Sequence, residues 1–184
     1  MKKIFAIIAI AAAVLYSCKN EDDETWEDYM AWRETNNAWF NEMRARTNPD
    51  GTPYYEVITP TWSPNTSILI HYFNDRSETE GKLSPIYTST VDTRYYLHLC
   101  DSTAVDSSVN NTSPAPGVFR ARLNEMIMGW GIAIPQMRCG DTAEIIIPYT
   151  AGYGTSSNGA IRPFSNLRFN VRLVDIPHLE SIPY

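Results

Sequence analysis

The chain has 184 residues, a formal net charge of −6, and 43% hydrophobic and 12% aromatic residues. An acidic chain without a basic stripe argues against nucleic acid as a partner, and the length suits one domain with a real core plus an appendage. His71, His98 and His178 stand far apart, and no zinc spacing, phosphate loop or G-x-S-x-G elbow occurs, so nothing calls for a metal or cofactor.

The chain begins "MKKIFAIIAIAAAVLYSC": two lysines, then apolar residues from Ile4 to Tyr16, too short a run to span a bilayer comfortably. Leu15-Tyr16-Ser17-Cys18 resembles a bacterial lipobox, in which the cysteine is lipidated and becomes the first mature residue. Tyr16 departs from the small residue usual there. The alternative is an ordinary secretory signal with an unrelated cysteine. The lipobox reading makes 1–17 a lipoprotein signal peptide and Cys18 the lipidation site, so that acyl chains attach the protein to a membrane without a spanning helix. "KNEDDE" then has nothing to bury and reads as an acidic tether over 18–24. Similar runs in Gram-negative surface lipoproteins imply a place in the cell envelope, at the outer membrane, on its periplasmic or surface-facing side.

Residues 25–47 carry apolar side chains at Trp26, Tyr29, Met30, Trp39, Phe40 and Met43, with no proline or glycine. That spacing predicts an amphipathic helix, with Thr25 as N-cap and Glu27 and Asp28 in its first turn. Its aromatic face packs on the following domain, or on a second chain to form a homodimer. "NPDGTP" breaks the helix.

From Tyr54 the texture is that of strands: "YYEVI" (54–58), "SILIHYF" (67–73), then "TVDTRYYLHL" (90–99), in which Val91, Thr93, Tyr95, Leu97 and Leu99 share a face. "IIIPYTAGYG" (145–154) reads as a buried strand end leading to a tyrosine, Tyr153, held between two glycines. "LRFNVRLVDI" (167–176) alternates with Leu167, Phe169, Val171 and Leu173 inward. These strands predict an antiparallel sheet with one wet face. Cys100 and Cys139 could pair in an oxidising compartment, and the sequence does not decide it.

Four segments fall into one order: "RYYLHLCDSTAVDSS" (94–108), "NEMIMGW" (124–130), "QMRCGDTAEIIIPYTAGYG" (136–154) and "GAIRPFSNLRFNVRLVDI" (159–176). This order resembles the FKBP family of peptidyl-prolyl cis–trans isomerases, with its H-Y-x-G, F-D-S-S, V-I-x-G-W, Q-M-x-x-G…A-Y-G and L-x-F-x-V-x-L segments. "IHYF" (70–73) offers a rival tyrosine, Tyr72, but the family spacing of eleven residues to the aspartate selects Tyr95 with Asp106. The resemblance implies an α+β fold, a curved antiparallel sheet wrapped around a short helix, with the N-terminal amphipathic helix added and the isomerase domain over 52–184. "MGWGIAIPQM" (128–137) becomes that short helix only through the resemblance, because Gly131 and Pro135 are poor helix formers.

Carried over residue by residue, the family site comprises Tyr95, Asp106, Ile127 and Tyr153 as catalytic residues. Val105, Phe119, Met126, Trp130, Ile161 and Phe169 form its substrate-binding wall. The resemblance implies that Trp130 floors the pocket, that the Ile127 N–H and the Tyr153 O–H donate to a substrate carbonyl, and that Asp106 orients its neighbours. Val105 replaces the family's phenylalanine, Leu97 its glycine, Arg94 its histidine and Gly152 its alanine, and "IRPF" (161–164) replaces I-P-P. The implied function is a lipid-anchored isomerase acting on proline-containing segments of exported proteins. The alternatives are a non-catalytic FKBP-fold binding or chaperone module, or an assembly lipoprotein that works through its N-terminal helix.

Overall fold

The computed structural model describes residues 25–178. The signal-like segment, Cys18 and the acidic run at 18–24 lie outside the described residues. Helix α1 spans Trp26–Ala45. Thr25 caps it as the sequence predicts: its Oγ1 accepts the Asp28 N–H, and the Asp28 carboxylate accepts the Thr25 N–H. The strands are β1 (Glu56–Ile58), β2 (Ile68–Tyr72), β3 (Thr90–His98), β4 (Ala104–Ser107), β5 (Phe119–Arg122), β6 (Thr142–Ile147) and β7 (Leu167–His178). A short helix α2 (Met128–Ala133) lies between β5 and β6.

All strand pairs are antiparallel, in the order β1-β2-β6-β7-β3-β4. β5 and β4 divide one edge of β3 between them: β5 pairs with Thr90–Thr93 and β4 with Tyr96–His98. The α+β architecture with a short helix against an antiparallel sheet is therefore as expected.

The burial pattern corrects one expectation. On β3 and β7 the alternation gives one buried and one wetter face, with Tyr95, Leu97, Phe169 and Val171 inward and Arg94, Tyr96 and Arg172 exposed. Asp92 is the exception on β3, buried because the Arg120 guanidinium grips both its carboxylate oxygens at 2.7 Å. On β2 and β6, however, both faces are covered. Ile68, Ile70, Ile145 and Ile147 join the main core with Trp130, Ile132 and Ala133 of α2, whereas Leu69 and Ile146 join Tyr55 on the other side. Trp39, Phe40 and Met43 of α1 close that second cluster, which is why the runs 68–70 and 145–147 are apolar without alternation.

Helix α1 thus packs within its own chain, the first of the two alternatives, and the aromatic face that a homodimer required is occupied. The docked stripe is Trp32, Asn36, Trp39, Phe40 and Met43, and Trp26 stays exposed. Spacings of three and four residues from Trp32 to Met43 place these side chains on one helical face.

Helix α2 contains Gly129 and Gly131, which by propensity alone disfavour it. Packing explains both. A Cβ on Gly129 would lie 2.6 Å from Ile147 Cδ1 and nearer still to its Cγ2, and one on Gly131 would lie 2.7 Å from the Tyr87 ring. Gly129 lets α2 approach Ile147 of β6, and Gly131 makes room for the Tyr87 ring. Cys100 and Cys139 are free thiols.

Candidate active site

The cup forms where the β3–β7 sheet bends around α2. Trp130, 1% exposed, is its floor. Tyr95 from β3, Phe119 from β5 and Phe169 from β7 meet the indole edge-on, with ring centroids 5.7, 6.1 and 5.5 Å away. Edge-to-face packing of this kind fixes ring orientations beyond what burial alone supplies. Leu97, Met126, Ile127, Asp106 and Tyr153 complete a cavity of about 40 Å³.

The floor keeps one polar group, the buried Trp130 Nε1–H, which has no hydrogen-bond partner among the described residues; the others belong to Tyr95, Asp106, Ile127 and Tyr153. The Tyr95 hydroxyl donates to Asp106 Oδ2 at 2.6 Å, and the Ser107 N–H donates to Asp106 Oδ1 at 2.8 Å. Burial, then the hydrogen bond to Asp106 and its charge, push the Tyr95 phenol well above the usual range, so it remains a donor held by the carboxylate. Ile127 is the N-cap of α2, so its own N–H lies outside the helical hydrogen-bond ladder. Tyr153 is half-buried. Burial and the Asp106 charge raise its phenol, against a smaller opposing effect of a hydrogen bond with Asn158, so it too keeps its proton.

The turn that carries Tyr153 is closed by backbone bonds. The Gly152 and Gly154 N–H groups both donate to the Tyr149 carbonyl, at 3.0 and 2.9 Å. Gly154 has φ +67°, a conformation natural to glycine, and a Cβ on Gly152 would press on Leu167. Each flanking glycine therefore has its own local reason.

Eight sequence-derived site residues line the cup: Tyr95, Asp106, Phe119, Met126, Ile127, Trp130, Tyr153 and Phe169. Val105 and Ile161 line instead an adjoining hollow of about 230 Å³, which shares Leu97, Asp106 and Tyr153 with the cup and adds Asn158, Gly159 and Ala160. Leu97 walls both spaces and was absent from the site read off the sequence, although its place two residues after Tyr95 on the same strand face could have marked it. Asn158 had no such signal, being in a loop without periodicity. Tyr72, the rival tyrosine, lies on β2 and donates to the Gln136 carbonyl.

Residues 81–174 match the sequence model of the FKBP-type peptidyl-prolyl cis-trans isomerases. The chain belongs to this family. Among similar proteins, a macrophage infectivity potentiator of Trypanosoma cruzi is 39% identical over 97 residues, 52% of this chain and 47% of that protein. FK506-binding protein 1 of Eremothecium gossypii is 32% identical over 100 residues, 53% of this chain and 84% of that protein. The chain spans about half the length of the first of these and about a quarter of the FK506-binding protein 3 of Yarrowia lipolytica. Two solved structures share the fold. A peptidyl-prolyl cis-trans isomerase from Pseudomonas syringae has TM-score 0.63 and 22% identity, covering 84% of this chain and 97% of that one. FkpA from Escherichia coli has TM-score 0.61 and 22% identity, covering 82% and 63%.

Proposed function

We propose that this FKBP-family chain is a peptidyl-prolyl isomerase that acts on proline-containing segments of exported proteins while held to the cell envelope by a lipid on Cys18. The observation that carries the catalytic part is an aromatic cup floored by Trp130 and lined by Tyr95, Phe119 and Phe169, with the Tyr153 hydroxyl and Ile127 among its walls. Rotation about an X–Pro bond meets a barrier of about 18–20 kcal/mol because resonance makes the amide planar. Twisting removes resonance and makes the imide less polar, so a dry aromatic cup stabilises the twisted bond more than the planar one. A hydrogen bond from the Ile127 N–H or the Tyr153 hydroxyl to the substrate carbonyl holds the twist without covalent chemistry. Asp106 serves this arrangement by fixing the Tyr95 ring.

The hollow beside Val105 favours a second reading, in which the cup holds peptide segments without turning them over. Refolding of a denatured protein whose slow phase is prolyl isomerisation separates the two. The isomerase reading expects catalytic amounts to accelerate that phase and the Trp130→Ala variant to lose the effect. A holding module would bind the unfolded chain and leave the rate unchanged. For the anchor, cells fed radiolabelled palmitate should label the wild-type chain and not Cys18→Ala; equal labelling of the two would remove the lipid from the proposal.

A further inference from the structure

We propose that helix α1 is a positioning element of the site: through Asn36 and Asn166 it holds the turn that aims Tyr153. The proposal rests on the reading of Tyr153 as a donor to substrate.

Asn36 is the one buried residue of α1, fully enclosed in the middle of the helix, where asparagine has poor propensity. Its Nδ2 donates to the Trp32 carbonyl at 2.9 Å, and its Oδ1 accepts the Asn166 N–H at 2.7 Å. Asn166, 1% exposed, is the bridge. Its Nδ2 donates to the Asn36 carbonyl at 2.6 Å, and its Oδ1 accepts the Tyr149 N–H at 2.8 Å. Tyr149 is the residue whose carbonyl takes both the Gly152 and the Gly154 N–H, so the turn around Tyr153 closes on a residue held by Asn166. Three directed bonds therefore link the helix to the tyrosine's turn, and a fourth, to the Trp32 carbonyl, fixes the Asn36 side chain on the helix.

Neighbouring contacts grip the other side of the same loop. Trp32 Nε1–H donates to Ser165 Oγ at 2.9 Å, and the Arg162 guanidinium lies 5.0 Å from the Trp32 ring, next in sequence to Ile161 of the hollow. Arg33 lies 5.5 Å from the Phe164 ring and 6.0 Å from that of Tyr149. Phe164 takes φ +64°, rare for a non-glycine residue, while its N–H donates to the Gly154 carbonyl at 2.9 Å.

The two ends of the helix contact divide the work. Trp39, Phe40 and Met43 supply adhesion, which is non-directional and would serve equally if α1 slid. A leucine at position 36 would add to that adhesion. Two buried asparagines satisfied only by one another, by Trp32 and by Tyr149 fix register instead. The loop they fix carries Tyr153.

The test compares Asn36→Ala with Met43→Ala, which loosens α1 at its adhesive end without touching the asparagines. Rates on a short X–Pro peptide and hydrogen exchange of the amides from Tyr149 to Gly154 are measured for both. Asn36→Ala should lower kcat/KM about tenfold and speed exchange at Gly152 and Gly154 while β3 and β7 stay protected. Met43→Ala should change neither. In a Tyr153→Phe background Asn36→Ala should lose most of its effect on rate, because the group it positions is gone. Equal behaviour of the two helix variants, or unchanged exchange at Gly152 and Gly154, overturns the proposal. If the wild type itself catalyses no exchange, the isomerase reading fails, and the amide data alone decide whether α1 holds the turn. If Asn36→Ala does not fold, Trp32→Phe, which removes the bond to Ser165 and trims the ring beside Arg162 on the same helix face, takes its place with the same expected signs.

Discussion

Gly129→Ala and Gly131→Ala add the same methyl group to the same short helix, and the structure assigns them different outcomes. At position 129 the new Cβ overlaps Ile147, a fully buried side chain on β6 with no room to turn, and comes within 2.6 Å of Cδ1. Overpacking of this kind costs about 1–3 kcal/mol, while replacing a helical glycine by alanine returns about 1 kcal/mol. The net expectation is a loss of up to about 2 kcal/mol. At position 131 the obstacle is the Tyr87 ring, 54% exposed and able to swing outward, so the propensity gain roughly cancels the contact. Chemical denaturation reads both, as a lower midpoint with unchanged slope for Gly129→Ala and little change for Gly131→Ala. Trimming the obstacle supplies the check. Ile147→Ala alone should cost about 2–5 kcal/mol as a cavity, and less in the Gly129→Ala background. Equal costs for the two glycine variants, or strict additivity with Ile147→Ala, would refute the packing explanation of α2.

Tyr153→Phe removes a rim donor and should lower kcat/KM for X–Pro peptides about tenfold with little change in stability. Tyr95→Phe should do the reverse, because its hydroxyl already belongs to Asp106: about 1 kcal/mol of stability lost, activity mostly retained, both read by peptide exchange and denaturation. Asp141 makes an acid-stability prediction. Burial alone would raise its carboxyl, but hydrogen bonds from Thr79, Arg138 and Asn74 and the Arg76 guanidinium outweigh burial and hold it below the usual carboxylate range. Its contribution is therefore complete above the unfolded value, about pH 4, and disappears as the pH falls through the folded one. Asp141→Asn should lower stability at neutral pH and flatten the acid limb of a pH–stability curve; an unchanged limb would show that Asp141 does not drive it.

The strands were legible because period-two alternation on β3 and β7 records a sheet with a single core face. The unbroken isoleucines of β6 announced burial on both sides, but nothing in them named α1 as the second cover. The helix α1 itself was plain, yet its docked face was partly misread: hydrophobicity pointed to Trp26, whereas the buried position is Asn36, whose role depends on Asn166 far along the chain. Helix α2 opposed its own propensities, since its glycines answer to Ile147 and Tyr87, and only the family order of motifs revealed it. The same order assembled eight cup residues from four strands, a turn and a helix. It put Val105 and Ile161 in the cup as well, where the structure opens a neighbouring hollow between them.

The central claim is tested most directly by the cis–trans exchange rate of a short X–Pro peptide, measured by NMR without a coupled protease, in the presence of the wild-type chain and of Trp130→Ala. The account predicts catalysed exchange with the wild type and its loss in the folded variant. A wild type that folds and leaves the exchange rate at its uncatalysed value would contradict the account.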